Sequence, residues 1–411
     1  MSLVSFDNGT FPLADVQDNP ARYVKRLERA KVSPGYAVCM CASHQTPLQL
    51  VIRRYGSLLH LAGWPEDGHR HKRDSCPFYK DPDAPRAARG GDSKAAIMAT
   101  PTGLNVKLDA ALTLRETATG SRGPAAQPTS RTSRRSASLL AFLQTLWSES
   151  ALNQWTGTAT ARHWGQCNAM LLAEVGTALI NGSDAQKVLH IMRRYEEADR
   201  TAINSEFDVF VARLATSANG ATHRGLVIGE INEVVPTQFG HALSLRQSAR
   251  KYYASATLIE HASRTFAHAW KALGVRTARV VAILLVERTA KGHLKLIDLA
   301  AMLCSSAFVP CDSMYEVAMA NRLVAERRDF LKPVRLSPDD DMLPDFVLRD
   351  TDVPTHIEVY GMNGLASYEA RKDQKRALRL SRRIPAVEWN ADCEPLEAVS
   401  LPASRDRSLL T

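Results

Sequence analysis

The stretch "PDFVLRDTDVPTHIEVYGM", Pro344–Met362, puts Asp345 at the head of one short apolar strand and Glu358 inside the next, with a polar turn between them. A buried carboxylate is costly unless it is paired or binds a metal, so two that converge suggest a metal. Upstream, "DSMYEVAMANRLVAERR" has helical spacing, with Asp312 or Ser313 as its cap and Glu316 in its first turn. "FLKPVRL" follows as a strand. Downstream come a basic helix, "SYEARKDQKRALRLSRR", and a last strand, "IPAVEW". The predicted order is helix, three strands, helix, strand.

This order and these acids resemble the PD-(D/E)xK nuclease superfamily, the restriction-endonuclease-like fold, from about Pro310 to Asn390. The resemblance maps its acids onto Asp345 ("PDF"), Glu358 ("IEVYG") and Glu316 ("MYEVAMANRL"). It implies Mg²⁺ or Mn²⁺ held by Asp345 and Glu358, with Glu316 completing the acidic site. The superfamily's usual lysine, two positions after the glutamate, is replaced here by Tyr360. Some members carry the lysine on the next helix, behind a tyrosine. "IEVYGMNGLASYEARKDQK" fits that arrangement, with Tyr368 and then Lys375, and Lys372 as the second candidate. Residues three and four apart share a helix face, so both lysines can point toward the acids.

A second constellation lies near the start. "CMC" supplies Cys39 and Cys41, and "GHRHKRDSCPFY" supplies His69, His71 and Cys76. Three thiolates and an imidazole suit a closed tetrahedral zinc site. The hairpin "LQLVIRRYGSLLHLAGW", turning near Tyr55-Gly56-Ser57, can bring the two ligand pairs together. His71, nearest Cys76, is the first choice for the fourth ligand; His69 and His60 are alternatives, and His44 sits close to the C-x-C itself. Cys167, Cys304, Cys311 and Cys393 occur singly and read as core or incidental thiols.

The 411 residues exceed one ordinary core, and the formal net charge of +9 favours an anionic partner such as nucleic acid. No basic leader with an apolar core opens the chain, and the longest apolar run, "VVAILLV", is too short to cross a bilayer. A cytoplasmic location and no membrane partner are therefore expected. The segment 115–136, rich in Ser, Thr, Gly, Pro and Arg, reads as a basic low-complexity linker. From Ala137, "SLLAFLQTLWSESALNQW", "ATARHWGQCNAMLLAEVGTALI" and "DAQKVLHIMRRYEEADRTAINSEFDVFVARL" read as helices, while "RGLVIGEINEVV" and "HALSLR" look extended. "ASATLIEHASRTFAHAWKAL" returns to helix. "RVVAILLVERTAKGHLKLIDLAAMLCS" reads as a hairpin about Ala290-Lys291-Gly292.

The expected architecture is α+β and multidomain: a small β-rich zinc module over 1–114, the linker over 115–136, a mainly helical domain over 137–275 that is a candidate for DNA binding, and an αβββαβ nuclease-like domain over 276–411. The C-x-C and Cys-Pro-aromatic opening, the helix "SLLAFLQTLWSESALNQW", the apolar hairpin and "IEVYG" also resemble, over nearly the whole chain, an uncharacterised bacterial family often encoded on plasmids and integrative conjugative elements. That resemblance implies a mobile-element setting and no activity. The expected function is metal-dependent cleavage of DNA; the alternative is a non-catalytic zinc-containing nucleic-acid-binding or regulatory protein on a degenerate nuclease fold.

Overall fold

A computed structural model describes residues 2–64, 67–73, 75–80, 96–100, 103–114, 137–159, 161–176, 178–217, 220–334, 343–361 and 366–405, with backbone alone at 99–100, 103, 366–369 and 371. The linker expected over 115–136 lies outside the described residues, as does the side chain of Tyr368. The fold is α+β, and the described residues form ten α-helices and four sheets.

The N-terminal sheet is antiparallel, in the order Gly9–Pro12, Leu3–Phe6, Tyr36–Cys39, Leu48–Tyr55, Leu58–Gly63. Its last two strands form the expected hairpin, with Tyr55 opposite Leu58 and Gly56 at φ +59°, a conformation that favours glycine. Alternation along "LQLVIRRY" buries Leu48, Leu50 and Ile52 under the helix Pro20–Val32, whose Leu27 and Ala30 are fully buried. The same core takes in Cys39 and Cys76.

The middle of the chain differs from expectation. The run read as one helix from Asp184 to Leu214 is divided: a short helix Ala185–Val188, a strand Leu189–Ile191, and the helix Arg200–Ala212. "LHI" is drawn into parallel pairing with Leu226–Ile228, and this tertiary pairing overrides the local helical spacing. The stretch 137–275 is accordingly mixed rather than mainly helical.

Five strands close on themselves. Thr222–Thr237 pairs antiparallel with Gly240–Leu245, which pairs antiparallel with Ser248–Ala254. Ser248–Ala254 runs parallel to Leu294–Ser305, that strand pairs antiparallel with Ala278–Arg288, and Ala278–Arg288 returns to the first strand over Arg224–Glu230. The first strand serves both neighbours because it is sixteen residues long and bulged between Ile231 and Glu233. Helices Ala256–Thr265 and Ala267–Lys271 link the third strand to the fourth. The barrel therefore runs across the boundary expected at residue 275. It also explains why "VVAILLV" does not alternate. Ala282, Leu284 and Val286 face one core, while Val281, Ile283 and Leu285 face a second under the helices Leu139–Glu149 and Trp164–Val175.

The C-terminal elements follow the predicted order: helix Met314–Ala325, strands Asp329–Leu331, Phe346–Leu348 and Thr355–Tyr360, helix Ala366–Ser381, strand Ala386–Asn390. The three successive strands are antiparallel, and the last runs parallel to Thr355–Tyr360. Gln154–Thr156, from the middle of the chain, adds an edge strand beside Asp329–Leu331. Among the described residues no helix is long and apolar enough to cross a membrane.

Candidate functional site

The two Cys and His stretches meet at the end of the N-terminal sheet. Cys39 ends the strand Tyr36–Cys39, Cys41 follows it, and His71 and Cys76 come from the loop beyond the hairpin. The sulfurs of Cys39 and Cys76 are 3.5 Å apart, and His71 Nδ1 is 3.4 Å from the sulfurs of both Cys41 and Cys76. The four donor atoms all lie within 4.8 Å of one another, and among the described residues this is the only group of three or more such donors. It could hold a metal ion such as zinc.

The electrostatics agree with that donor set. Hydrogen bonding to Cys41 pushes the Cys39 thiol up to about 12, and Cys39 drives Cys76 far above the ordinary thiol range. Cys41 is drawn far down, chiefly by hydrogen bonds from Cys39 and Cys76, and the Lys72 N–H also donates to its sulfur at 3.4 Å. Three thiolates at contact distance repel one another, and a dication removes that repulsion. The other histidines stand apart: His44 Nε2 is 2.8 Å from the Arg70 carbonyl oxygen, His69 sits in a one-turn helix, and His60 is buried in the sheet, its imidazole pulled down to about 4 by burial.

The C-terminal acids line a cleft of about 600 Å³, which includes Glu316, Asp345, Glu358, Lys372 and Lys375. Asp345 precedes the strand Phe346–Leu348, and its Oδ2 accepts the Val359 N–H at 2.7 Å, which ties it to the neighbouring strand. Glu358 is 2% exposed, and both its oxygens have cationic partners: Lys375 Nζ at 3.0 Å and Arg379 Nη1 at 2.8 Å. Burial raises the Glu358 carboxyl above its ordinary range, and Lys375 opposes the rise. Arg379 also reaches Glu388, which stands opposite Glu358 on the adjacent strand. Lys372 does not reach Glu358; its ammonium lies 4.4 Å from the centre of the Tyr360 ring.

Glu316 has a partner that the sequence reading missed. Lys332 Nζ, just past the strand Asp329–Leu331, donates to Glu316 Oε2 at 2.6 Å and to Asp312 Oδ2 at 2.9 Å. The Asp312 N–H donates to the same Glu316 oxygen at 3.0 Å. Burial pushes the Glu316 carboxyl up to about 7 against the pull of Lys332. Ser313, not Asp312, caps the helix by accepting the Glu316 N–H. Nothing in the spacing of "FLKPVRL" marks Lys332. Arg379 carried one available signal, its position four residues beyond Lys375 on one helix face. Glu316, Asp345 and Glu358 line the same cleft, yet they do not form a close three-donor group like that of Cys39, Cys41, His71 and Cys76.

No curated protein and no solved structure matches the chain. A family model described as "Protein of unknown function (DUF1173)" matches residues 14–391, and with nearly the whole chain covered this protein belongs to that family.

Proposed function

We propose that this chain is a metal-dependent phosphodiester hydrolase acting on nucleic acid, in the first place DNA, through a restriction-endonuclease-like C-terminal region. The observation that carries the reading is the gathering of Asp345, Glu358 and Lys375 in one cleft, on the element order that suggested them. Asp345 and Glu358 would hold Mg²⁺ or Mn²⁺, a hard cation that takes oxygen ligands. When bound, such an ion supplies a Lewis acid and an activated water.

The protein groups have separable tasks. The Val359 N–H fixes Asp345, and Arg379 fixes Glu358 by spanning it and Glu388. Lys375, anchored also by the Leu343 carbonyl oxygen at 2.8 Å, sets a positive charge beside Glu358, where it can stabilise charge developing on a phosphate. Affinity for the polyanion would come from Lys and Arg elsewhere on the basic chain.

For the N-terminal group we propose a structural zinc. A tetrahedral ion with bonds of about 2.3 Å to sulfur sets its ligands roughly 3.8 Å apart; the Cys39–Cys76, Cys41–His71 and Cys76–His71 pairs are at 3.4–3.5 Å and all four donors lie within 4.8 Å.

The test is nicking of supercoiled plasmid and of labelled single strands with Mg²⁺, Mn²⁺ or EDTA. Asp345→Ala and Glu358→Ala should each abolish cleavage and leave DNA affinity within about threefold, since phosphate contacts carry the affinity. Lys375→Ala should slow cleavage by about a hundredfold or more and keep metal binding. One observation favours the non-catalytic alternative: both oxygens of Glu358 are already engaged by cations. If the wild-type protein cuts nothing with either metal, that alternative replaces the hydrolase.

A further inference from the structure

The five-stranded barrel offers a second nucleic-acid site, independent of the hydrolase reading. Its strands pair in the order first, second, third, fifth, fourth and back to the first; the third and fifth are parallel, and helix joins the third to the fourth. That is the connectivity of the OB barrel, whose second and third strands bind oligonucleotides or oligosaccharides together with the loops joining strands one to two and four to five. Connectivity alone does not make a site. The side chains on that face decide.

The loop between the first two strands is the tight turn Thr237–Gly240, and at its tip Phe239 is 87% exposed. On the third strand Tyr252 points into the core, so Tyr253 points outward, 41% exposed. Its ring meets His293, in the loop joining the fourth and fifth strands, edge-on at 5.5 Å. Beside Tyr253 in register are Ala242 on the second strand and Lys295 on the fifth, so its cross-strand neighbour on one side is small. Lys251 and Lys295 flank it, held by Glu233 at 3.0 Å and Glu287 at 3.4 Å, and Lys291 is exposed in the same loop as His293. The tips of both loops and the outer face between them thus carry aromatic rings with lysines between. A sugar-binding face would call for planar rings with amide or carboxylate acceptors. Here the two rim carboxylates, Glu233 and Glu287, are engaged by Lys251 and Lys295, and Lys291 stands exposed beside them, an excess of positive charge that complements a phosphate backbone.

We propose that the outer face of this barrel binds a single strand of nucleic acid, with bases stacked on Phe239 and Tyr253 and phosphates met by Lys251, Lys291 and Lys295.

The full-length protein, without added Mg²⁺ or Mn²⁺ so that the proposed cleavage is withheld and without a chelator that would strip zinc, would be titrated into a fluorescein-labelled oligo-dT of about a dozen nucleotides, within the reach of one such barrel. Anisotropy reports binding. Phe239→Ala and Tyr253→Ala should each weaken binding between about fivefold and a hundredfold, the usual effect of removing one stacking ring. Tyr253→Phe should restore it. Lys291→Ala should lower the slope of log affinity against log salt by about one. All three substituted side chains are solvent-facing, and an unchanged thermal melt checks that the variants fold. The proposal is overturned if the wild type does not bind, if the Phe239→Ala/Tyr253→Ala double variant binds as well as wild type, or if a neutral oligosaccharide binds this face and the oligonucleotide does not. Binding lost in the double variant while plasmid nicking also fails would retain this site and reject the hydrolase. Unchanged binding with nicking that depends on Glu358 would do the reverse.

Discussion

The Cys/His group and the carboxylate cleft both concentrate anionic side chains, and they balance them differently. In the N-terminal group three thiols and an imidazole crowd together, and the close partners of the sulfurs are the other donors and backbone N–H groups. In the cleft each buried glutamate has its own cation: Lys332 on Glu316, Lys375 and Arg379 on Glu358. The first arrangement could hold a metal ion. The second is balanced by the protein's own cations as folded.

That contrast predicts its largest effect at the four Cys and His donors. Purified protein should carry about one equivalent of zinc, and the Cys39→Ser/Cys76→Ser variant essentially none, because a structural site of this type folds with its metal. Hydrogen exchange should then show the strands Tyr36–Cys39 and Leu48–Tyr55 losing protection, while Thr355–Tyr360 keeps it. Zinc undiminished in the double variant, or equal loss of protection in both regions, breaks the comparison.

A smaller effect is expected in the cleft, at Lys332. Lys332→Met leaves Glu316 buried beside Asp345 without its cation and should cost about 3–5 kcal/mol, the usual penalty for removing one partner of a buried pair. Adding Glu316→Gln should return much of that loss. Denaturant unfolding measures both. A Lys332→Met cost below about 1 kcal/mol would show that the pair behaves as a surface pair despite its burial.

The smallest effect is a response to pH of opposite sign in the two regions. His60, in the N-terminal sheet, has its folded pKa depressed to about 4 by burial, so between about 6.5 and 4 the unfolded chain binds the extra proton. Its contribution is present above about 6.5 and is lost as pH falls, on the order of 2 kcal/mol by pH 5. Glu316 is raised to about 7, so the folded chain holds the extra proton; its contribution is present below about 4.3 and is lost as pH rises toward 7. Hydrogen exchange at pH 5 and pH 7, corrected for intrinsic rates, should show the strand Leu58–Gly63 less protected at pH 5 and the helix Met314–Ala325 more so. In His60→Asn the first difference should shrink. The same sign in both regions would defeat the prediction.

Local chemistry is what made part of this molecule legible in its sequence. Cys39, Cys41, His71 and Cys76 could be read because few roles suit three thiols and an imidazole flanking a hairpin, and the structure brings those four side chains together. The αβββαβ order could be read because each element is short and carries its own period and cap, Ser313 among them. Asp345 and Glu358 announced themselves as acids in apolar strands.

Tertiary structure alone decided the rest, because it depends on contacts far apart in sequence. Lys332 meets Glu316 only because the chain just past the strand Asp329–Leu331 comes back beside the start of the helix Met314–Ala325, and no spacing within "FLKPVRL" encodes that. "LHI" became a strand because Leu226–Ile228 offered an unpaired edge. The barrel closes through Arg224–Glu230 meeting Val281–Glu287, a register set by one bulge and two buried faces. The same closure sets Phe239, Tyr253 and His293 on the outer face of the barrel and its two loops. Alternation and residue type fix what each segment prefers; which segments meet is fixed by which buried surfaces and unpaired backbone edges remain once they have folded.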